Sequence, residues 1–253
     1  MSEIRQRWRI VFGRDEEARY LSHLDAVRQW ERALRRGGVP IATSEGFTAR
    51  PRLILAAPLP LGMLAEHELA DLFLDERLTA RDLRQRLTTG GLPRGYRLVD
   101  LQDEWVGAPA LATRLAAADY RLTVLGLDAA TSDRACSQLL GRAELRRERR
   151  RVKEAATAYD LRPLILELRP VEADPTGVED DSAGPPAGLW MRLRHSQDGG
   201  TGRPDEVVAA VAGSLSLDPS ALEIIRAIRE RLWLSNELVL QQPEREPRSR
   251  LDP

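Results

Sequence analysis

The sequence predicts an α+β fold made of two ferredoxin-like (βαββαβ) halves in tandem. Three observations predict it. The chain has 253 residues, enough for two small domains that each bury a core. Runs with apolar residues at every second position alternate with runs of helical period. In the first half these runs come in the order β-α-β-β-α-β, the split βαβ arrangement. The expected units are residues 1–107, a half with a basic first helix, and 108–241, a second α+β half. Residues 171–188 are expected as a mobile loop and 242–253 as a disordered tail.

The elements follow in order. "RWRIVFG" (Arg7 to Gly13) sets Trp8, Ile10 and Phe12 against Arg7, Arg9 and Val11, which reads as a strand with one buried face. Ser22 to Arg36 reads as a helix. Ser22 and Asp25 form an S-x-x-D capping box, in which each side chain satisfies a backbone N–H of the opening turn, and Gly37 and Gly38 stop the helix. "VPIATSEGF" and "PRLILAAP" are short extended segments round a turn at Gly46. "EHELADLFLD" alternates Ala70, Leu72 and Leu74 and is a second strand. Thr79 and Asp82 repeat the capping box and open a helix through Leu87, ended by Gly90 and Gly91. "RGYRLVDLQ" closes the half as a strand, and the division falls near "WVGAPAL" (Trp105 to Leu111). Beyond it, "ADYRLTVLG" is a strand and Ser132 to Gly141 a helix. "LRRERRRVKE" is either a charged strand or the continuation of that helix. "YDLRPLILEL" and "LWMRLRH" are extended, Pro204 to Ala212 is a helix, and "LEIIRAIRERLWL" is a strand or a helix.

Composition excludes several classes of function. Apolar residues make up 42% and charged residues 30%, ordinary values for a globular protein. No apolar run approaches the ~18–20 residues that cross a bilayer. The opening "MSEIRQRWRIVFG" has neither the apolar core nor the cleavage site of a signal peptide, so a cytoplasmic protein without membrane contact is expected. One cysteine, Cys136, gives no disulfide framework and no chain-borne iron–sulfur cluster, which needs about four thiolates. Three dispersed histidines, His23, His67 and His195, make no zinc signature, and no metal or other cofactor is expected. Net charge is near zero but unevenly spread. Residues 1–155 carry 27 basic against 22 acidic side chains, and the remainder 11 against 17. Every basic residue except Lys153 is arginine, whose planar fork suits phosphate. Codon bias in a GC-rich genome explains the same ratio without any phosphate.

On a helical projection of the first helix, Leu24, Val27, Trp30 and Leu34 share an arc of about 120°, and Arg28, Arg32, Arg35 and Arg36 a separate arc of about 100°. Four guanidinium groups on one face repel one another unless acids or anions lie near, and Glu31 relieves only part of this. The stripe is either a solvated face or a phosphate-binding one. At this point the chain resembles a known family. "RYLSHLDAVRQWERALRRGGVPIATSEGFTARPRL", "PLPLG", "YDLRPLI" and "GRPDEV" are similar to segments of the radical-SAM-linked family of uncharacterised bacterial proteins, over about Arg5 to Trp233. Thr48 and Ala49 depart from that pattern, while Arg50, Pro51 and Arg52 keep it. The resemblance implies a radical SAM enzyme as partner and a role in RNA modification or processing.

Several residues are candidates for such a role. His23 follows the Ser22 cap, where the helix dipole disfavours imidazolium. It packs locally, contacts RNA, or acts as general base on a ribose hydroxyl; the last needs a second proton-transfer group, for which Tyr20 and Glu45 are nearest in sequence. In "SEGFTARPR", Phe47 can stack on a base while Arg50 and Arg52 hold phosphates, or the segment is a turn with Phe47 in the core. Arg147, Arg149 and Arg151 lie in the densest basic segment and make either a phosphate track or a solvated arm. "DGGTGRPDEV" places Asp205 and Glu206 in the first turn of a helix, where a phosphate meets like charge, and reads as a structural connection. Cys136 reads as inert. The leading expectation is an RNA-binding or adaptor protein working with a radical SAM enzyme. The alternatives are a metal-independent endoribonuclease with His23 as base, and a protein scaffold without RNA contact.

Overall fold

The computed structural model describes residues 3–44, 50–149, 157–173 and 186–240. The first half runs β1 (Gln6–Arg14), α1 (His23–Arg36), β2 (Leu53–Leu55), β3 (Leu64–Leu74), α2 (Ala80–Arg86) and β4 (Tyr96–Glu104). Its strands lie in the order β4-β1-β3-β2, each antiparallel to its neighbour. The second half runs β5 (Leu115–Leu125), α3 (Ala129–Gly141), a separate two-stranded sheet of β6 (Arg146–Arg149) and β7 (Thr157–Asp160), then β8 (Ile165–Val171), β9 (Ala187–Ser196), β10 (Gly200–Thr201), α4 (Pro204–Ser214), β11 (Glu223–Leu234) and α5 (Ser235–Leu240). Here the order is β11-β5-β9-β8, again antiparallel throughout, with β10 added beside β9. The halves do not form two separate sheets. β11 pairs in parallel with β3, Ile228 opposite Leu64 and Arg231 opposite His67, and this joins nine strands into one mostly antiparallel sheet.

Local signals placed most elements correctly. Ser22 caps α1: its Oγ accepts from the Asp25 backbone N–H at 3.2 Å, while the Asp25 carboxylate accepts from the Ser22 hydroxyl at 2.7 Å rather than from a backbone donor. Thr79 and Asp82 repeat this arrangement at α2. The N-terminus of α3 needs correction. The helix begins at Ala129 rather than Ser132, and Asp128 is its cap, accepting from the Thr131 N–H at 2.8 Å. Ser132 sits inside the helix and donates back to the Asp128 and Ala129 carbonyls. The two ambiguous segments are both strands over Arg146–Arg149 and Glu223–Leu234, and α5 follows without having been expected. Val171 ends β8 and Ala187 and Gly188 begin β9, so the ends of the expected mobile loop are strand; its middle, the Gly46 turn and the expected tail lie outside the described residues.

Both helices of the first half cover one sheet face. Trp30 and Leu34 of α1 and Leu83 of α2 pack on Trp8, Ile10, Phe12, Ala70 and Leu72. Phe12 and Tyr96 meet the Trp30 ring edge-on, with centroids 5.1 and 5.5 Å away. Leu24, expected on the apolar arc, is exposed in the opening turn. In the second half α3 and α4 bring Cys136, Leu139, Val207 and Val211 onto Leu122, Leu189 and Met191. The opposite sheet face is not the solvated one that alternation in β1 implies. Arg7 and Arg9 are buried, and both donate to Asp71, which is completely inaccessible. Arg7 also donates to the carbonyls of Ala108 and Pro109, so the connection after β4 lies over this face. In the second half Arg192 binds Asp119 at 2.7 Å, and its guanidinium lies 4.6 Å from the Trp233 ring centroid. The helix-free face is therefore lined by paired charges and by Trp190 and Trp233 alongside aliphatic side chains such as Val11 and Leu69.

Candidate functional site: a cleft between the halves

Where the two halves meet, on the helix-bearing side, lies a cleft of about 680 Å³. Three segments remote in sequence form it: Arg19, the turn Pro58–Gly62, and the loop Gly202–Asp205 that opens α4. Gly62 has φ +78°, the left-handed region that lets the turn close. Arg19 staples this turn, donating from Nε to the Gly62 carbonyl at 2.7 Å, while the Gly62 N–H donates to the Arg19 carbonyl at 3.0 Å. Arg19 also reaches the Ile225 carbonyl of β11 at 3.3 Å and so spans both halves. Beneath it Arg14 donates to the carbonyls of Arg19, Pro60 and Met63, with burial lowering its pKa. One guanidinium thus collects the loose carbonyls of two turns.

The floor of the cleft is polar but uncharged in sum. Arg229 of β11 is buried and pairs with Glu68 of β3, Nε to Oε1 at 2.6 Å and Nη2 to Oε2 at 2.5 Å, and donates to the Pro58 carbonyl at 3.1 Å. Burial works against its charge, but the Glu68 carboxylate and the Tyr120 hydroxyl outweigh it and hold its pKa above the ordinary value. Burial raises the pKa of Tyr120, against the pull of Arg229, so its phenol is protonated. His195 of β9 lines the same floor, and its Nδ1 is buried without a hydrogen-bond partner. Burial first, then Arg229, pushes its pKa down to about 4, so the imidazole is neutral. The walls are apolar: Pro58, Pro60, Leu61, Met63, Leu122 and Ile224.

A pH dependence follows from His195. Below the ordinary value of 6.5 the unfolded chain takes up a proton at this residue that the folded chain refuses until pH is about 4. Across that window the unfolded state binds more protons, so folding stability falls as pH falls. The loss, allowing for the solvent that reaches the half-buried ring, is expected to be roughly 2 kcal/mol. Urea denaturation of wild type and His195→Gln between pH 7 and 4 checks it: the variant should lose less stability by about that amount.

The sequence-predicted residues do not gather at this cleft. His23, half-buried, lies beside a narrow cavity of about 20 Å³ shared with Phe12, Arg14, Glu68 and Tyr96, the size of one water. Arg28 pairs with Asp25 at 3.4 Å, and Arg36 donates to the Gly90 and Leu92 carbonyls, closing the turn after α2. Arg32 and Arg35 are exposed on α1. Arg52 lies 5.2 Å from the Phe73 ring centroid, on the helix-free face, and so is separated by the sheet from the α1 arginines. Arg50 is exposed, its N–H donating to the Ser44 hydroxyl. Arg147 donates to the Glu206 carbonyl of α4, and Arg149 stands on β6. Glu45, Phe47 and Arg151 lie outside the described residues. The basic residues thus occupy at least three separate places. Cys136 is buried in α3, and burial pushes its thiol pKa up to about 11, so it is an unreactive core residue.

Sequence reasoning missed Arg19, Glu68, Tyr120, His195 and Arg229. One signal was present: Glu68 shares the alternation of Ala70, Leu72 and Leu74, the side of β3 that the sequence marks as buried. Nothing in the sequence says that Glu68 and Arg229 face each other. Among the described residues no group of three or more His, Cys, Asp or Glu is placed to hold a metal ion, and no helix is long and apolar enough to cross a membrane.

A family model described as an uncharacterised protein conserved in bacteria, DUF2344, matches residues 7–203. No curated protein matches the chain. Two solved structures are similar in outline: a Cbf5-Nop10-Gar1 complex, at 9% identity and a TM-score of 0.46 over 88% of this chain and 49% of that one, and an archaeal box H/ACA sRNP Nop10-Cbf5 complex, at 8% and 0.45 over 88% and 48%. The chain spans about half the length of the chains it matches.

Proposed function

The chain belongs to the DUF2344 family of bacterial proteins, and from that premise we propose that it is an RNA-binding protein, a non-catalytic cytoplasmic adaptor that acts with a radical SAM enzyme in RNA modification or processing. One convergence carries the RNA reading. Arg19, the "PLPLG" turn and the "GRPDEV" loop belong to the segments that carry the sequence resemblance, and all three border one cleft, with Arg19 and Arg203 at its rim and the Arg203–Asp205 pair open to solvent. We read the halves, residues 1–107 and 108–241, as ferredoxin-like modules, a reading supported by their common strand order. The radical SAM partner is supported by the sequence resemblance, and a docking role by Tyr20 and Leu61, which are 74% and 66% exposed beside the cleft. Arg32 and Arg35, exposed and without an ion-pair partner among the described residues, supply further phosphate contacts on α1.

Filter binding of single-stranded RNA at stepped salt tests this. The logarithm of affinity should fall linearly with the logarithm of salt concentration, and Arg203→Gln should flatten the slope by about 0.7, the value for one phosphate contact on a single strand. Affinity that does not weaken between low and physiological salt removes the reading. Co-purification of the radical SAM enzyme from nuclease-treated lysate separates the adaptor role from RNA contact.

A further inference from the structure

We infer that the cleft receives one unstacked RNA base, ring inward, with the flanking phosphates on its rim. This rests on the RNA-binding reading and names what the site takes. Floor and rim differ in exposure: the Arg229–Glu68 pair is buried, whereas the Arg203–Asp205 pair is open to water. At the floor, the Arg229 guanidinium is already matched by Glu68, and Tyr120 and His195 are neutral. A phosphate brought there would lose its water and meet the Glu68 carboxylate behind Arg229. A neutral heterocycle meets no such opposition. Its ring edge finds the Tyr120 and His195 side chains, which line the floor. Its faces find the pyrrolidine rings of Pro58 and Pro60 and the side chains of Leu61, Met63 and Ile224. At the rim Arg203 is paired with Asp205 at 2.6 Å, but both side chains are more than half exposed, and Arg19 holds the Gly62 and Ile225 carbonyls; an ion pair open to water is weak and gives up its partner to a phosphate at little cost. Anionic backbone outside and neutral ring inside is the order in which single-stranded RNA presents these groups when a base is splayed out. The volume, about 680 Å³, falls in the range of sites that enclose a small organic ligand.

The test uses the full chain and two probes: a ribose–phosphate chain carrying a single 2-aminopurine base at its centre, and the same chain wholly abasic. The one-base chain should bind ~10-fold more tightly, the scale of one stacked base, and its fluorescence should change on binding. His195→Ala should abolish the preference while leaving affinity for the abasic chain unchanged. Leu61→Ala, at a surface position the fold does not depend on, should reduce the preference as well. Equal, salt-dependent binding of the two chains overturns the base pocket and leaves RNA binding intact. A preference untouched in both variants also overturns it. Absence of binding to either probe and to ordinary single-stranded RNA overturns the RNA reading itself.

Discussion

Arg229→Met is expected to destabilise the protein by ~3–5 kcal/mol, read from urea denaturation at neutral pH. The residue stands on β11 and its partner, Glu68, on β3, and both are buried. Removing the guanidinium leaves a carboxylate out of reach of water, and it also frees the Pro58 carbonyl that Arg229 holds. The effect should therefore come mostly from the partner left behind. The double variant Arg229→Met, Glu68→Leu tests that origin. It should recover most of the loss, because two apolar side chains of similar volume need no counterion. If the single and double variants are equally unstable, packing at the joint between the halves, and not the stranded charge, governs the effect.

Asp71→Ala should have a comparable effect, ~3–5 kcal/mol, for the mirror-image reason. Asp71 is fully inaccessible and accepts from Arg7 at 3.1 Å and from Arg9 at 3.0 Å. Deleting it leaves two buried guanidinium groups facing each other. Arg9 keeps Glu104 as a second partner, and Arg7 keeps only neutral carbonyls. Arg7→Met in the Asp71→Ala background should then restore more stability than Arg9→Met does. Equal recovery would mean that Glu104 does not compensate Arg9.

What the sequence made legible was local. The cap at Ser22, the alternation of Trp8, Ile10 and Phe12, and the glycine that ends α1 act within a few residues. What it hid was non-local. Arg7 and Arg9 read as a solvent face because alternation normally exposes the polar side, but residues 108 and 109 lie over them and Asp71 neutralises them. Glu68 and Arg229 are separated by 161 positions, and no periodicity links them. The α1 arginines were legible as a stripe and not as a site, because a projection of one helix cannot show that Arg36 is spent on the turn after α2.

The parallel pairing of β11 with β3 has a consequence for biosynthesis. The strand that covers the Leu64–His67 edge of β3 is the last strand of the sheet to leave the ribosome. Throughout most of translation that edge carries free backbone donors and acceptors, and Glu68 awaits its cation. A nascent chain stalled before residue 223 is thus a sticky species, with a natural claim on chaperones. Its final dozen strand residues quench that hazard.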